Sequence, residues 1–239
     1  MPAVAARYYF SFRSPYSWFA TRQLFERYPD VAERVQFVPY WEPSDEVAED
    51  LRRIHGAKVL YAPMSKAKHL YILADTKRMA AHLGYRLSWP VDRSPCWDVP
   101  HFAFIRAEAI GQGRRMMQEF MAARWERSEN ICDAGTVRRL AENCDIPADT
   151  FLQAPSDPAT RSAGLVALSE AYRQSVFGVP FFTVGRQRFW GVDRLALFVA
   201  ATRDAGLSGG EHGHLSGSPE QLIHIPVGAF DQDVVGGCG

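Results

Sequence analysis

The 239-residue chain has only four cysteines, Cys96, Cys132, Cys144 and Cys238, and no two of them form a C-x-x-C pair. Thiols this sparse exclude a disulfide framework and the small cross-linked class of domain that depends on one. They supply no zinc set either; Cys132 and Cys144 read as small apolar residues for burial. Net charge is also missing, with Lys+Arg 27 against Asp+Glu 27, so no overall field draws the chain to nucleic acid or to an anionic membrane. No run approaches the ~20 apolar residues needed to span a bilayer. The opening Met1-Pro2-Ala3-Val4-Ala5-Ala6-Arg7 lacks the basic start and the apolar stretch of roughly 7–15 residues that mark a secretory leader. A cytoplasmic protein is expected. Core material is ample, at 47% hydrophobic and 13% aromatic residues, enough for one large domain or a small domain carrying an insertion.

The aromatic run from Arg7 to Phe12 predicts a strand. Ser14 is a favoured N-cap and Pro15 a favoured first helical residue, with Trp18, Phe19, Leu24, Phe25 and Tyr28 forming an apolar face until Pro29 stops the helix. A second strand is expected from Val35 to Trp41, its Pro39 suiting an edge or a terminus, so that the two strands and the helix make a parallel, right-handed βαβ unit. From Asp45 to Arg173 strand-type runs vanish. Helical spacing covers 65–83, 100–111, 114–127, 133–143 and 157–174, interrupted by a Pro- and Trp-rich loop over 88–100 of the kind that forms a lid or a pocket wall. Strands then follow over 177–185 and 188–191, and a helix over 193–204. The organisation is therefore a discontinuous domain, 1–44 with 175–206, split by a helical insertion, 45–174, and followed by a tail, 207–239, in which 221–227 is a short docking segment. Glu211, His212 and His214 in that tail lack a third ligand at helical spacing, so no metal is expected. His55, His69, His82 and His101 read as structural histidines.

Phe10-Ser11-Phe12-Arg13-Ser14-Pro15-Tyr16-Ser17-Trp18 at one end, and Phe177-Gly178-Val179-Pro180 through Trp190-Gly191-Val192-Asp193-Arg194 at the other, carry a resemblance to a known family. Across roughly residues 7–205 the chain resembles 2-hydroxychromene-2-carboxylate isomerases and kappa-class glutathione transferases, in the DsbA-like branch of the thioredoxin superfamily. The resemblance implies an α/β thioredoxin-like fold with a large all-helical insertion, reduced glutathione as cofactor, a small aromatic or conjugated substrate, and a homodimer. Dithiol relatives carry C-P-x-C at the first turn. Here Ser14-Pro15-Tyr16-Ser17 puts an oxygen at each sulfur position, and a hydroxyl cannot form the mixed disulfide of thiol–disulfide exchange.

The resemblance further implies that Ser14 holds the glutathione sulfur and that a cis Pro180 presents the main chain of Val179 to the cysteinyl part, in the manner of an added strand. Asp193 meets the γ-glutamyl ammonium, and Trp190, Gly191 and Val192 complete that wall, Val192 standing where relatives carry a polar residue. Lys68, three residues before Tyr71, resembles a family Lys-x-x-Tyr element that binds an acidic group. Trp97, with Trp89, either lines a substrate pocket or packs the loop down. A thiol of ordinary pKa, about 8.5, is favoured as its anion by a helix N-terminus and a hydroxyl hydrogen bond. The thiolate adds to a conjugated double bond, the resulting single bond rotates, and elimination restores the double bond in the other geometry. Two alternatives stay open: an isomerase that uses another thiol or none, and a ligand-binding protein without catalysis in which Ser14 is only a helix cap.

Overall fold

The structure is a computed structural model and describes residues 6–60 and 64–207. Strand β1, Ala6–Phe10, lies inside a four-stranded sheet of order β2-β1-β3-β4, where β2 is Val35–Pro39, β3 is Phe181–Val184 and β4 is Gln187–Trp190. Parallel β2 sets Phe37 opposite Tyr8, and antiparallel β3 sets Phe182 opposite Tyr8 on the other side. A strand covered on both faces needs an unbroken apolar run rather than alternation, and Tyr8, Tyr9 and Phe10 are all fully buried. Tyr8 stacks on Phe182 at 4.7 Å between ring centres, and its hydroxyl donates to the Ser17 carbonyl at 2.8 Å.

Helix α1, Pro15–Arg27, follows the Ser14 cap as the sequence predicts, and buries Trp18, Phe19, Ala20 and Leu24. Pro29 does more than stop it. With its φ already helical, it opens a one-turn helix, α2, Pro29–Ala32. Between β2 and β3 run α3 (Asp45–His55), α4 (Lys66–Leu83), α5 (Asp98–Ala109), α6 (Gly113–Arg127), α7 (Ala134–Asn143), α8 (Ala148–Leu152) and α9 (Pro158–Arg173), and α10 (Leu195–Leu207) closes the described chain. Side chains of Ser44, Ser65, Asp133 and Asp157 cap α3, α4, α7 and α9 by accepting a first-turn N–H. Gly56 and Gly84, at φ 59° and 70°, end α3 and α4 in the left-handed conformation that glycine adopts without strain. Buried Gly164 lets α9 approach α5 closely, since a Cβ there would stand 2.4 Å from the Phe102 ring.

Several boundaries differ from the sequence expectation. β1 ends at Phe10 rather than Phe12, because the backbone of residues 11–13 bonds to side chains instead of to a strand. β2 ends at Pro39 rather than Trp41, although the Tyr40 N–H still reaches the Phe10 carbonyl at 2.7 Å. The irregular loop runs over 84–97, since α5 already begins at Asp98; Pro100 falls in its first turn, where a missing N–H removes no intrahelical bond. β3 begins at Phe181, after residues 177–180 have formed a separate wall. No described helix is long and apolar enough to cross a membrane. The tail 208–239, with Glu211 to His214, residues 221–227 and Cys238, lies outside the described residues.

Candidate active site

The turn between β1 and α1 leaves four consecutive N–H groups without a strand or helix partner, and each finds an acceptor elsewhere. Ser11 N–H donates to Ser17 Oγ at 3.3 Å, Phe12 N–H to His101 Nε2 at 3.2 Å, Arg13 N–H to Ser11 Oγ at 3.2 Å, and Ser14 N–H to the Ser11 carbonyl at 3.1 Å. The Phe12 carbonyl accepts from Trp125 Nε1 at 3.0 Å. Two helices of the insertion, α5 through His101 and α6 through Trp125, thus hold the backbone that delivers Ser14.

Ser14 is half-buried, and its hydroxyl has two partners. It accepts the Ser17 N–H at 3.2 Å as an N-cap and donates to the Val179 carbonyl at 3.3 Å. The Val179–Pro180 peptide is cis. The first turn of α1 contains no acidic side chain, so the positive end of its dipole is uncompensated by its own residues. Ser17 is fully buried and spends its hydroxyl on the Ser11 N–H, which makes it a pin for the turn. Tyr16 donates to Asp75 of α4 at 2.7 Å, and burial, reinforced by that carboxylate, pushes the phenol ionisation up.

The wall beyond Val179 is aromatic. Phe177 and Trp190, 51% and 42% exposed, meet edge to face at 4.9 Å, and the indole lies against Gly178, where a Cβ would stand 3.0 Å from its Nε1. Gly191, at φ 100°, sends its N–H to the Pro180 carbonyl at 3.0 Å. Val192 packs half-buried against the core. The Asp193 carboxylate is exposed and shares an ion pair with Arg194 at 2.6 Å. Lys68 is exposed in the first turn of α4, its N–H taken by Ser65 Oγ. Trp97 is 6% exposed, and its ring faces Arg124 at 4.6 Å and Arg13 at 5.9 Å. Trp89 packs against Trp125 at 5.4 Å and His69 at 6.2 Å.

Three further groups stand behind this turn and the loop before α5. Arg124 makes two parallel bonds of 2.8 Å to Asp92, pinning the 84–97 loop to α6. Trp125 and His101 act on backbone groups that only the folded turn exposes. Burial pushes His101 from the ordinary 6.5 down to about 3, with Arg124 lowering it further and the hydrogen bond to the Trp97 carbonyl opposing the shift. The unfolded chain takes up that proton below 6.5 while the folded chain does not until about 3, so His101 makes stability fall as pH drops through this window. The full slope is about 1.4 kcal/mol per pH unit. Urea unfolding of the protein and of His101→Gln between pH 4 and 7 should show the steeper loss in the parent; parallel curves would mean that the ring titrates normally.

Two clefts open elsewhere. One, of about 590 Å³, is lined by Ser44, Asp98, Phe102 and Arg161 among others, and one, of about 250 Å³, by Trp18, Arg22, Met121 and Glu126 among others. Neither is lined by Ser14 or Val179. Among the described residues no group of three His, Cys, Asp or Glu side chains is arranged to hold a metal ion. Of the described cysteines, Cys144 is buried, Cys132 is half-buried with its thiol pushed up to about 12 by burial, and Cys96 is exposed.

The family described as the DSBA-like thioredoxin domain matches residues 7–203. A 2-hydroxychromene-2-carboxylate isomerase of Sphingobium xenophagum is 30% identical over 198 residues, 79% of this chain and 92% of that protein. Among solved structures, a 2-hydroxychromene-2-carboxylate isomerase superposes with a TM-score of 0.67 at 20% identity, covering 86% of this chain and 97% of that one. The cytosolic disulfide reductase DsbM of Pseudomonas aeruginosa, solved with GSH, superposes with a TM-score of 0.57 at 14% identity, covering 86% of this chain and 98% of that one.

Proposed function

The chain belongs to the DSBA-like thioredoxin domain family and, through its kinship with 2-hydroxychromene-2-carboxylate isomerase, has an isomerase role; from that premise we propose that it is a glutathione-dependent cis–trans isomerase of a conjugated aromatic carboxylic acid. The observation that carries this proposal is the Ser14 hydroxyl at the mouth of α1, 3.3 Å from the Val179 carbonyl. A donor that is half-buried and backed by a helix N-terminus without acidic neighbours on its own first turn fits a sulfur anion lying beside the Ser14 hydroxyl.

When bound, glutathione supplies a thiolate that adds reversibly to the conjugated double bond and is returned unchanged once the bond has turned. The protein's own contribution is positional and electrostatic. Ser14 turns its hydroxyl proton from the Val179 carbonyl toward the sulfur while keeping its cap on Ser17 N–H, and the amide ends of α1 favour the anion over the neutral thiol. Val179, free of the β3 ladder, offers its main chain to a peptide-like ligand. Phe177 and Trp190 offer exposed ring faces next to it, suited to an aromatic substrate or to the cofactor backbone. Asp193 is the partner for an ammonium group, in competition with Arg194, and Lys68 for a carboxylate. A cytoplasmic homodimer belongs to the same proposal.

The Arg194 ion pair on Asp193 and the apolar Val192 favour one second reading, in which the same pocket takes another thiol without a γ-glutamyl ammonium. Thermal unfolding with reduced glutathione, cysteine and coenzyme A separates the two. At a hundredfold excess over Kd, bound glutathione adds about 2.7 kcal/mol, a rise of roughly 5–10 °C in a chain of this size. Conversion of a 2-hydroxychromene-2-carboxylate should accelerate with glutathione in the same concentration range. No shift and no acceleration with glutathione would end the proposal.

A further inference from the structure

We infer that His101 is a positioning residue that fixes the backbone of residues 11–13, and through it the Ser14 hydroxyl, against the Val179 carbonyl. The inference deepens the proposed function, since it takes Ser14 as the group that meets the cofactor sulfur.

The two ring nitrogens of His101 have partners that leave no choice of roles. Nδ1 lies 2.7 Å from the Trp97 carbonyl, which can only accept, so Nδ1 carries the proton. Nε2 lies 3.2 Å from the Phe12 N–H, which can only donate, so Nε2 presents its lone pair. Ser11 Oγ, 3.3 Å from Nε2, is then a donor to it and an acceptor for the Arg13 N–H at 3.2 Å. One neutral imidazole in one tautomer therefore satisfies Phe12 directly and Arg13 through a single hydroxyl, the two residues immediately before Ser14.

The ring itself has little freedom. It is fully buried, stacked on Trp41 at 5.1 Å with planes 9° apart, and touched by Phe12 at 5.2 Å. Trp41 is held in turn, its Nε1 donating to Asp98 at 2.7 Å. Arg124 is the charged neighbour on the α6 side, and it opposes any protonation of the ring. With Phe12 and Arg13 fixed, the next residue enters α1 at one angle, and its hydroxyl meets a carbonyl that is 165 residues distant in the chain. A small rotation of this turn breaks that alignment, and misplacement by about 1 Å can cost a reaction about 10²-fold.

His101→Phe keeps a flat ring against Trp41 but removes the acceptor from Phe12 and Ser11, whereas His101→Gln restores an acceptor and a donor. The expected result for His101→Phe is a fall in kcat of about 10²-fold, with KM for glutathione moving far less, and an acidic limb of the pH–rate profile moved up by about one unit as the bound thiol loses its hydroxyl partner. His101→Gln should recover most of both. In the protein without ligand, the Ser14 and Ser17 amide resonances should move, and Phe12 N–H exchange should accelerate, in His101→Phe only. Unchanged resonances, or a lower melting temperature with the kcat and acidic limb of the parent, would overturn the inference and leave His101 a packing residue. If glutathione fails to bind the parent, the proposed function falls while the amide measurements still decide the role of His101. Should His101→Phe not fold, Ser11→Ala removes only the link from Nε2 to Arg13 and is expected to move the same amide resonances in the same direction by less.

Discussion

Ser14→Ala and Ser14→Gly are both expected to lower thiol-dependent turnover about 10²-fold or more, the scale seen when one donor to a developing or bound anion is removed. The pair matters because Ser14 also caps α1 through the Ser17 N–H. Alanine at an N-cap costs about 1 kcal/mol, equivalent to roughly 2–4 °C in melting temperature here, whereas glycine costs only a few tenths. Stability and turnover should therefore separate. Alanine lowers both, and glycine lowers turnover almost alone. Ser17→Ala is the contrasting case: it frees the buried Ser11 N–H and is expected to act on stability first. If the glycine variant turns over substrate as fast as the parent, the Ser14 hydroxyl is a helix cap and nothing more.

Asp92→Asn is expected to be the most destabilising polar change. Arg124 is 3% exposed and Asp92 28%, joined by two parallel bonds, with the guanidinium between the rings of Trp97 at 4.6 Å and Trp125 at 4.8 Å. Its Nε finds no hydrogen-bond partner among the described residues. Neutralising Asp92 leaves a charge enclosed by rings, for which about 3 kcal/mol is expected, at the lower end of the range for broken buried pairs because Asp92 is partly wet. That corresponds to a fall of roughly 6–12 °C in melting temperature. The double variant Arg124→Met/Asp92→Asn should regain most of the loss, since an apolar side chain of similar length needs no counter-charge. A loss below about 0.5 kcal/mol in Asp92→Asn would show that solvent screens the pair as at a surface.

What could be read from the sequence was local. The Ser14-Pro15 helix start and the helical spacing over 65–83, 114–127, 133–143 and 157–174 depend on neighbours within a turn or two, and these helices begin within a few residues of the predicted positions. Ser14 and Val179 belong to two motifs 165 residues apart and lie in hydrogen-bond contact. The aromatic ring of Phe12 suits a strand, but its N–H goes to a histidine 89 residues on. Strand propensity says nothing of that, because the acceptor is a property of the assembled fold. His101 itself looked like any helical histidine. The one available signal was a turn with several unsatisfied donors and no nearby acceptors beyond the serines. The packing of Trp97 under Arg124 and the early start of α5 at Asp98 were hidden for the same reason.

β1 is translated first, yet the strand that completes its second edge comes only after the whole run of α3 to α9. The 165 residues from Ser14 to Val179 take on the order of 10–30 s to synthesise at ordinary ribosomal rates. Throughout that interval Tyr8, Tyr9 and Phe10 can pair only with β2, leaving an aromatic ribbon with one open flank, a state prone to self-association. A nascent chain of this protein is accordingly expected to need chaperone cover until β3 and β4 have left the tunnel, and to bring Ser14 against Val179 only then.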